Sequence, residues 1–368
     1  MKSYRLPLVV CLLAAGALTA ARGNAEEEKG GAVFVMSNAA SGNQVYTYAR
    51  QEDGSLQAAG TYSTGGNGSG GTVDPLHSQG SLLLSADAHL LFAVNAGSGT
   101  VSSFAVRGDT LALLDTEPTG GSSPTAVAQY GDILYVLNSG GSGNVSGFRI
   151  FGNGHLHSIA DSTRNLSGST TSPTSLTFSP NGQFLVVTES ATNNIDVFRV
   201  HPNGTLSGIS TTASAGATPF AAIFASNGAL IVANASNSIS SYQLQWNQSL
   251  DVISNAVPTL GMATCWDVIP GNRPAVYTSN AGSGNVSGFT IGHNGSLSPI
   301  GATVVGTNPT GSANLDIAAS ANGKFIYTLN AGAGTIGMFS VESDRSLLNL
   351  GQLGGLPASA GLNGIAAY

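Results

Sequence analysis

One phrase recurs along this chain. It reads VNAGSGTVSSF at Val94 to Phe104, SNAGSGNVSGF at Ser279 to Phe289 and LNAGAGTIGMF at Leu329 to Phe339. Aligned on their turns, four more copies emerge: SNAASGNQVYTY from Ser37, LNSGGSGNVSGF from Leu137, TESATNNIDVF from Thr188 and ANASNSISSY from Ala233. A catalytic motif is needed once, whereas a motif written seven times describes how a fold is built. The marker residues of the seven copies are Asn38, Asn95, Asn138, Glu189, Asn234, Asn280 and Asn330, and they lie 43 to 57 residues apart. That period belongs to propeller blades or helical arrays.

The local pattern decides between these two. Pro173 to Ser210, PTSLTFSPNGQFLVVTESATNNIDVFRVHPNGTLSGIS, is one full unit. Its short β-branched and aromatic runs break at PNG, ATNN and PNG, and no helical spacing persists. Four short strands joined by tight turns make one antiparallel blade, and a blade with two apolar faces must stack on neighbours. The repeated phrase is then the end of a second strand, a turn and a third strand. Its Gly and Asn tolerate positive φ, and Val101, Val286 and Ile336 are packing residues. The fold class is therefore all-β, a seven-bladed propeller. GAVFVMSN near the start is a second strand without its first, and GLNGIAAY at the end is a first strand without followers. Pairing Gly364–Ala367 beside Ala32–Met36 is expected to close the ring and remove its open edges.

Composition agrees with many turns and a large core. Hydrophobic residues make up 42% and charged residues 8% of the 368 residues, with 50 glycines. A net charge of −7 argues against nucleic acid, which selects a basic face. Lys2 and Arg5 precede the apolar run Leu6 to Leu18, and Gly23 and Ala25 sit where a signal peptidase reads. Residues 1–25 are read as a signal peptide and 26–368 as a single propeller, secreted or periplasmic and without a membrane anchor after cleavage. One cysteine, Cys265, remains in the mature chain, so an intrachain disulfide is excluded and a monomer held together by burial is expected.

In this strand order, side chains converge over the channel from the starts of first strands and the ends of second strands. Charge is scarce there: Asp74, His77, Glu189, Asp267 and Asp316 are the candidates. Glu189 is the one marker that departs from Asn, which would place a lone carboxylate at the channel mouth. Asp267 and Asp316 occupy related positions in two first strands, where carboxylates can equally bond the amides of an adjacent blade. Gln79, Ser172, Thr174, Thr264 and Trp266 would supply neutral and aromatic lining. His155 and His157 share a strand face but belong to the opposite end of a blade and have no third ligand, so no metal site is read there. No cofactor motif is present: the chain carries no P-loop, no GxSxG elbow and no zinc spacing.

FSPNGQFLVVTESATNNIDVFRV, DPLHSQGSLLLSADAHLLFAVNAGSGTVSSF and GLPASAGLNGIAAY resemble the seven-bladed lactonase family, which includes propeller-type 6-phosphogluconolactonases and 3-carboxy-cis,cis-muconate lactonizing enzymes. The resemblance covers almost the whole mature chain and is to an exported branch. It implies lactone hydrolysis or formation, with Glu189 as general base on a water and His77 as general acid or proton shuttle. Gln79, Thr174, Trp266, Asp267 and Asp316 would contact substrate. The first-strand starts SPT, SPT and TPF carry no arginine, so a weakly charged lactone is the expected substrate. The alternative is a non-catalytic exported propeller whose neutral face binds a glycan, a wall component or a protein. A Ca²⁺ held by Glu189, Asn234 and Asn280 is the one metal arrangement the oxygen ligands would allow, without the carboxylate cluster that usually marks such a site.

Overall fold

Seven antiparallel sheets account for all the regular structure in the computed structural model, which describes residues 1–2, 30–271 and 273–368. The signal-peptide reading and its cleavage point before Glu26 fall outside the described residues. Six sheets follow one another in chain order from Leu82 to Leu353. The remaining sheet, the first blade, is assembled from both ends of the chain in the order Ile365–Ala367, Ala32–Met36, Gln44–Arg50, Leu56–Ser63. Val33 pairs with Ala367, Phe34 with Ala366 and Val35 with Ile365. The expected closure is therefore present.

Each blade steps outward from the ring centre, and its first strand packs on the first strands of its neighbours. Second strands are sandwiched on both sides. Phe184–Glu189, Ala229–Asn234, Ala275–Asn280 and Phe325–Asn330 are buried at every position. A strand buried on both faces reads as a continuous apolar run, and FLVV, LIVA, AVY and FIY are such runs. Outer strands are largely exposed, as in Leu56–Ser63, where only Leu56 is buried. In the third blade the outer edge is made of two short pieces, Leu156–Ser158 and Arg164–Asn165, both paired with Asn144–Ile150.

The recurring phrase is the turn between second and third strands. The Gly99 amide donates to the Asn95 carbonyl at 2.9 Å and Gly284 does the same to Asn280 at 2.9 Å, with Gly99 and Gly284 both left-handed. A second recurrence lies just before the first strands. Ser123, Ser172, Thr218 and Ala263 are left-handed, and their carbonyls accept the amides of Ser139, Ser190, Ala235 and Ala281, each one residue past a marker. These bonds tie the start of every such first strand to the turn that follows the second strand. All of this lies on one face of the ring, called here the marker face.

Candidate functional site

On the marker face the channel is filled by the chain itself. The segment from Thr72 to Ser81, which leads into the second blade at Leu82–Leu84, crosses the ring centre. The Gln79 amide donates to Thr174 O of the fourth blade at 2.8 Å, and Ser78 Oγ donates to Thr125 O of the third at 2.7 Å. Gln79 also reaches the sixth blade: Nε2 donates to Asp267 O and Oε1 accepts the Asp267 amide, both at 2.9 Å. Trp266 Nε1 donates to Ser78 O at 3.0 Å. Gly361 of the first-blade segment donates to Thr72 O at 2.9 Å. A segment with no strand pattern can cross a channel only because polar side chains and carbonyls from several blades satisfy its backbone.

This plug changes the place of the expected lining residues. Thr174, Trp266, Asp267 and Asp316 are buried, and only Gln79 faces open space, from the opposite side. Thr174 Oγ1 donates to Phe220 O at 2.9 Å, and Trp266 packs its ring edge-on against Phe220 at 5.0 Å between centroids. Asp316 accepts its neighbour Ile317's amide at 2.9 Å and the Ile365 amide of the first blade at 3.1 Å. Burial pushes its pKa up to about 7 in spite of these two bonds. Neither carboxyl oxygen of Asp267 has a hydrogen-bond partner among the described residues. Burial, then the nearby Asp316, raises its pKa well above the usual carboxylate range.

Glu189 does not stand over the mouth; its side chain turns into the blade and is fully buried. The other markers show why. Asn95 Nδ2 donates to Ser102 Oγ at 2.8 Å, Asn138 to Ser146 at 3.2 Å, Asn234 to Ser240 at 3.1 Å and Asn280 to Ser287 at 2.8 Å. In the fourth blade the marker is Glu189 and the serine position is Asp196. A carboxylate cannot donate, so the contact survives only if one acid keeps its proton. Burial, then the hydrogen bond with Glu189 and its charge, push Asp196 up to about 8. Burial opposes ionisation of Glu189 as well, but hydrogen bonds from Asp196, Ser167 and Thr192 outweigh it and hold its pKa low. The two acids are therefore pushed in opposite directions, Asp196 toward its protonated form and Glu189 toward its charged one, while Asp196 Oδ1 accepts from Thr211 Oγ1 at 2.8 Å. Asp196 escaped the sequence reading, although its departure from Ser in the third-strand column matches the departure of Glu189 in the marker column.

His77 is the expected residue that does remain at the surface, with its side chain 49% exposed. It rides on the plug, its ring edge-on to Phe220 at 4.9 Å. Nδ1 lies 3.6 Å from Asp74 Oδ2, and Nε2 lies 3.4 Å from Ser190 Oγ. Asp74 in turn accepts from Asn363 Nδ2 at 3.4 Å. Ser190 Oγ donates to Ser172 O at 2.9 Å. Asp74 beside Nδ1 favours the tautomer with its proton there, leaving the Nε2 lone pair directed toward Ser190 and solvent. Ser190 is also new to the site, brought there as the residue after marker Glu189. The arrangement can take a proton from a water or hydroxyl at the mouth.

Elsewhere, His155 pairs its Nδ1 with Asp115 at 3.3 Å and His157 packs on Phe151 at 4.6 Å. Among the described residues no group of three His, Cys, Asp or Glu side chains could hold a metal ion. Cys265 is free and buried. On the far side of the plug, Gln79, Leu83, Val127, Tyr130, Phe178 and Ile223 line a cavity of about 370 Å³ in the channel.

Comparison with solved structures finds the same architecture. A candidate 6-phosphogluconolactonase from Bacteroides fragilis is 19% identical, with a TM-score of 0.71 over 94% of this chain and 99% of that one. A Lactobacillus plantarum protein is 17% identical, with a TM-score of 0.72 over 92% and 98%. The periplasmic gluconolactonase PpgL of Pseudomonas aeruginosa is 17% identical, with a TM-score of 0.68 over 90% and 98%. Comparison with curated proteins finds no match. The family model described as "Lactonase, 7-bladed beta-propeller" matches residues 21–167 and 153–259. With that match spanning most of a ring whose blades, closure and markers are now described, the chain belongs to the seven-bladed β-propeller lactonase family.

Proposed function

We propose that this protein is an exported lactonase that opens a weakly charged cyclic ester at the marker-face mouth, with His77 as general base. The observation that carries this reading is His77 set between Asp74 and Ser190 on the exposed side of the plug. His77 Nε2 takes a proton from a water, and the hydroxide oxygen bonds to the lactone carbonyl carbon. As the ring C–O bond breaks, the protonated imidazole returns that proton to the departing alkoxide. Ser190 Oγ is the second hydrogen-bond partner for the water, since its own proton is given to Ser172 O. Buried Glu189 anchors Ser167 and Thr192 and so positions the turn that presents Ser190.

Export is part of the same reading and rests on the leader-like residues 1–25; the Pseudomonas neighbour is described as periplasmic. No arginine borders His77, which favours a neutral lactone over a phosphorylated one. The test is an assay of purified protein against neutral and phosphorylated lactones. Hydrolysis of a neutral lactone above the spontaneous rate is expected. No hydrolysis of any lactone, together with saturable glycan binding at the same face, would replace the enzyme with a binding module.

A further inference from the structure

We propose that a groove on the opposite face, between the fifth, sixth and seventh blades, binds a small oxyanion carrying two negative charges, a phosphate group or a dicarboxylate. The groove encloses about 380 Å³, and its walls include Arg273, Arg345, His293, Thr290 and Asn227. That volume suits a small molecule. No acidic side chain lines it.

This chain has few cations, and most of them are already engaged. Beyond residue 29 it has eight Lys and Arg residues. Arg164 gives its N–H groups to the carbonyls of Asp161, Thr163, Leu206 and Ser207. Arg199 lies over the Trp246 ring at 4.1 Å, Arg50 over Phe325 at 5.6 Å, and Arg149 pairs with Asp132 at 2.7 Å. Arg345 gives one N–H to Thr290 Oγ1 at 3.1 Å, and neither it nor Arg273 has an ion-pair partner among the described residues. Both are half-buried, and both bear on the same hydroxyl, that of Tyr277, whose pKa burial raises, the two arginines lower and the charge of Asp344 raises in turn. The nearest acid, Asp344, is turned to the amide and hydroxyl of Ser346.

Two like charges lining one groove, neither of them in an ion pair among the described residues, repel each other in a partly desolvated site. An oxyanion between them removes that repulsion. The planar guanidinium fork matches paired phosphate or carboxylate oxygens, and His293 at the rim can add a third donor. The site is separate from the His77 mouth, so its occupancy can be read without any lactone assay.

The experiment is calorimetric titration of the full-length mature protein with inorganic phosphate and with malonate, each at constant ionic strength, with acetate as the singly charged control. Saturable one-to-one binding of phosphate, malonate or both is expected, and which of the two binds tighter identifies the source chemistry. Arg273→Gln and Arg345→Gln should each weaken it about tenfold or more, the loss of one charge-assisted contact. Arg345→Lys, which keeps the charge and the turn, should fall between. Arg107→Gln, an exposed arginine outside the groove, should change nothing. Binding of neither dianion, or binding that both Gln variants retain at full strength, would overturn the proposal.

Discussion

Asp316 of the seventh blade accepts the backbone amide of Ile365, 49 residues further on, at 3.1 Å. That bond joins the last complete sheet to the strand that completes the first. Ring closure is thus held by strand pairing on one side and by a buried carboxyl on the other.

Deleting residues 361–368 should therefore destabilise the whole ring, not one edge of it. The deletion exposes Ala32–Met36 and removes the fully or nearly fully buried Leu362 and Ile365. Two buried aliphatic side chains alone contribute about 3–6 kcal/mol. Thermal unfolding followed by circular dichroism should show a large drop in midpoint or loss of the cooperative transition. A truncated protein that melts like its parent would refute the closure argument.

Stability should fall as pH rises from about 4 to about 8. The pKa of Asp196 is raised to about 8 and that of Asp316 to about 7 in the folded protein, so the native state binds these protons more tightly than the unfolded chain. For a raised pKa the stabilisation is complete at low pH and is lost as pH climbs through the folded value. Glu189, whose pKa is lowered, works the other way and loses its contribution as pH falls below the ordinary carboxylate range. Asp196→Asn keeps a donor toward Glu189 and removes the titration, so its melting temperature should be flatter between pH 6 and 9, a range of about three units around the shifted value. Melting curves across that range check this, and an unchanged slope would place the titration elsewhere.

On the lactone that the parent hydrolyses, His77→Ala should lower turnover by about a hundredfold or more, the usual scale of general-base catalysis. Ser190→Ala should cost much less, because the serine only holds the water. Glu189→Gln should lower activity together with melting temperature, as a positioning residue does. If Ser190→Ala abolishes turnover as thoroughly as His77→Ala, the serine itself is the nucleophile.

Gln79→Ala should loosen the plug. It removes two 2.9 Å hydrogen bonds and leaves the Asp267 amide and carbonyl unpaired, at about 1–3 kcal/mol for each buried group left unsatisfied. Amide hydrogen exchange at Asp267 should speed up more than at Ile231, which lies inside a neighbouring sheet. Equal exchange in variant and parent would show that Gln79 does not hold the crossing.

Much of the fold is legible in the sequence because a blade is a local object. The marker column, the turn glycines and the incomplete strands at the two ends all state their partners within one repeat or by its absence. The site is less legible, for two physical reasons. A marker's column is visible, but the direction of its side chain is not. Glu189 looks like a lone surface acid until the Asn95–Ser102 bond shows that the column points inward. Reading Asp196 beside it in the serine column would have shown the inward direction. The crossing of Thr72 to Ser81 has no periodicity at all, and its partners Thr174 and Asp267 lie about 100 and 190 residues away, beyond any local pattern.

The bridge from Ser78 and Gln79 to Trp266 and Asp267 makes this ring a two-sided disc and not a tube. Whatever docks beside His77 meets a floor, and whatever fills the cavity below Gln79 meets the underside of the same floor. The two surfaces can therefore acquire ligands independently, and loops on one can be exchanged without reshaping the other.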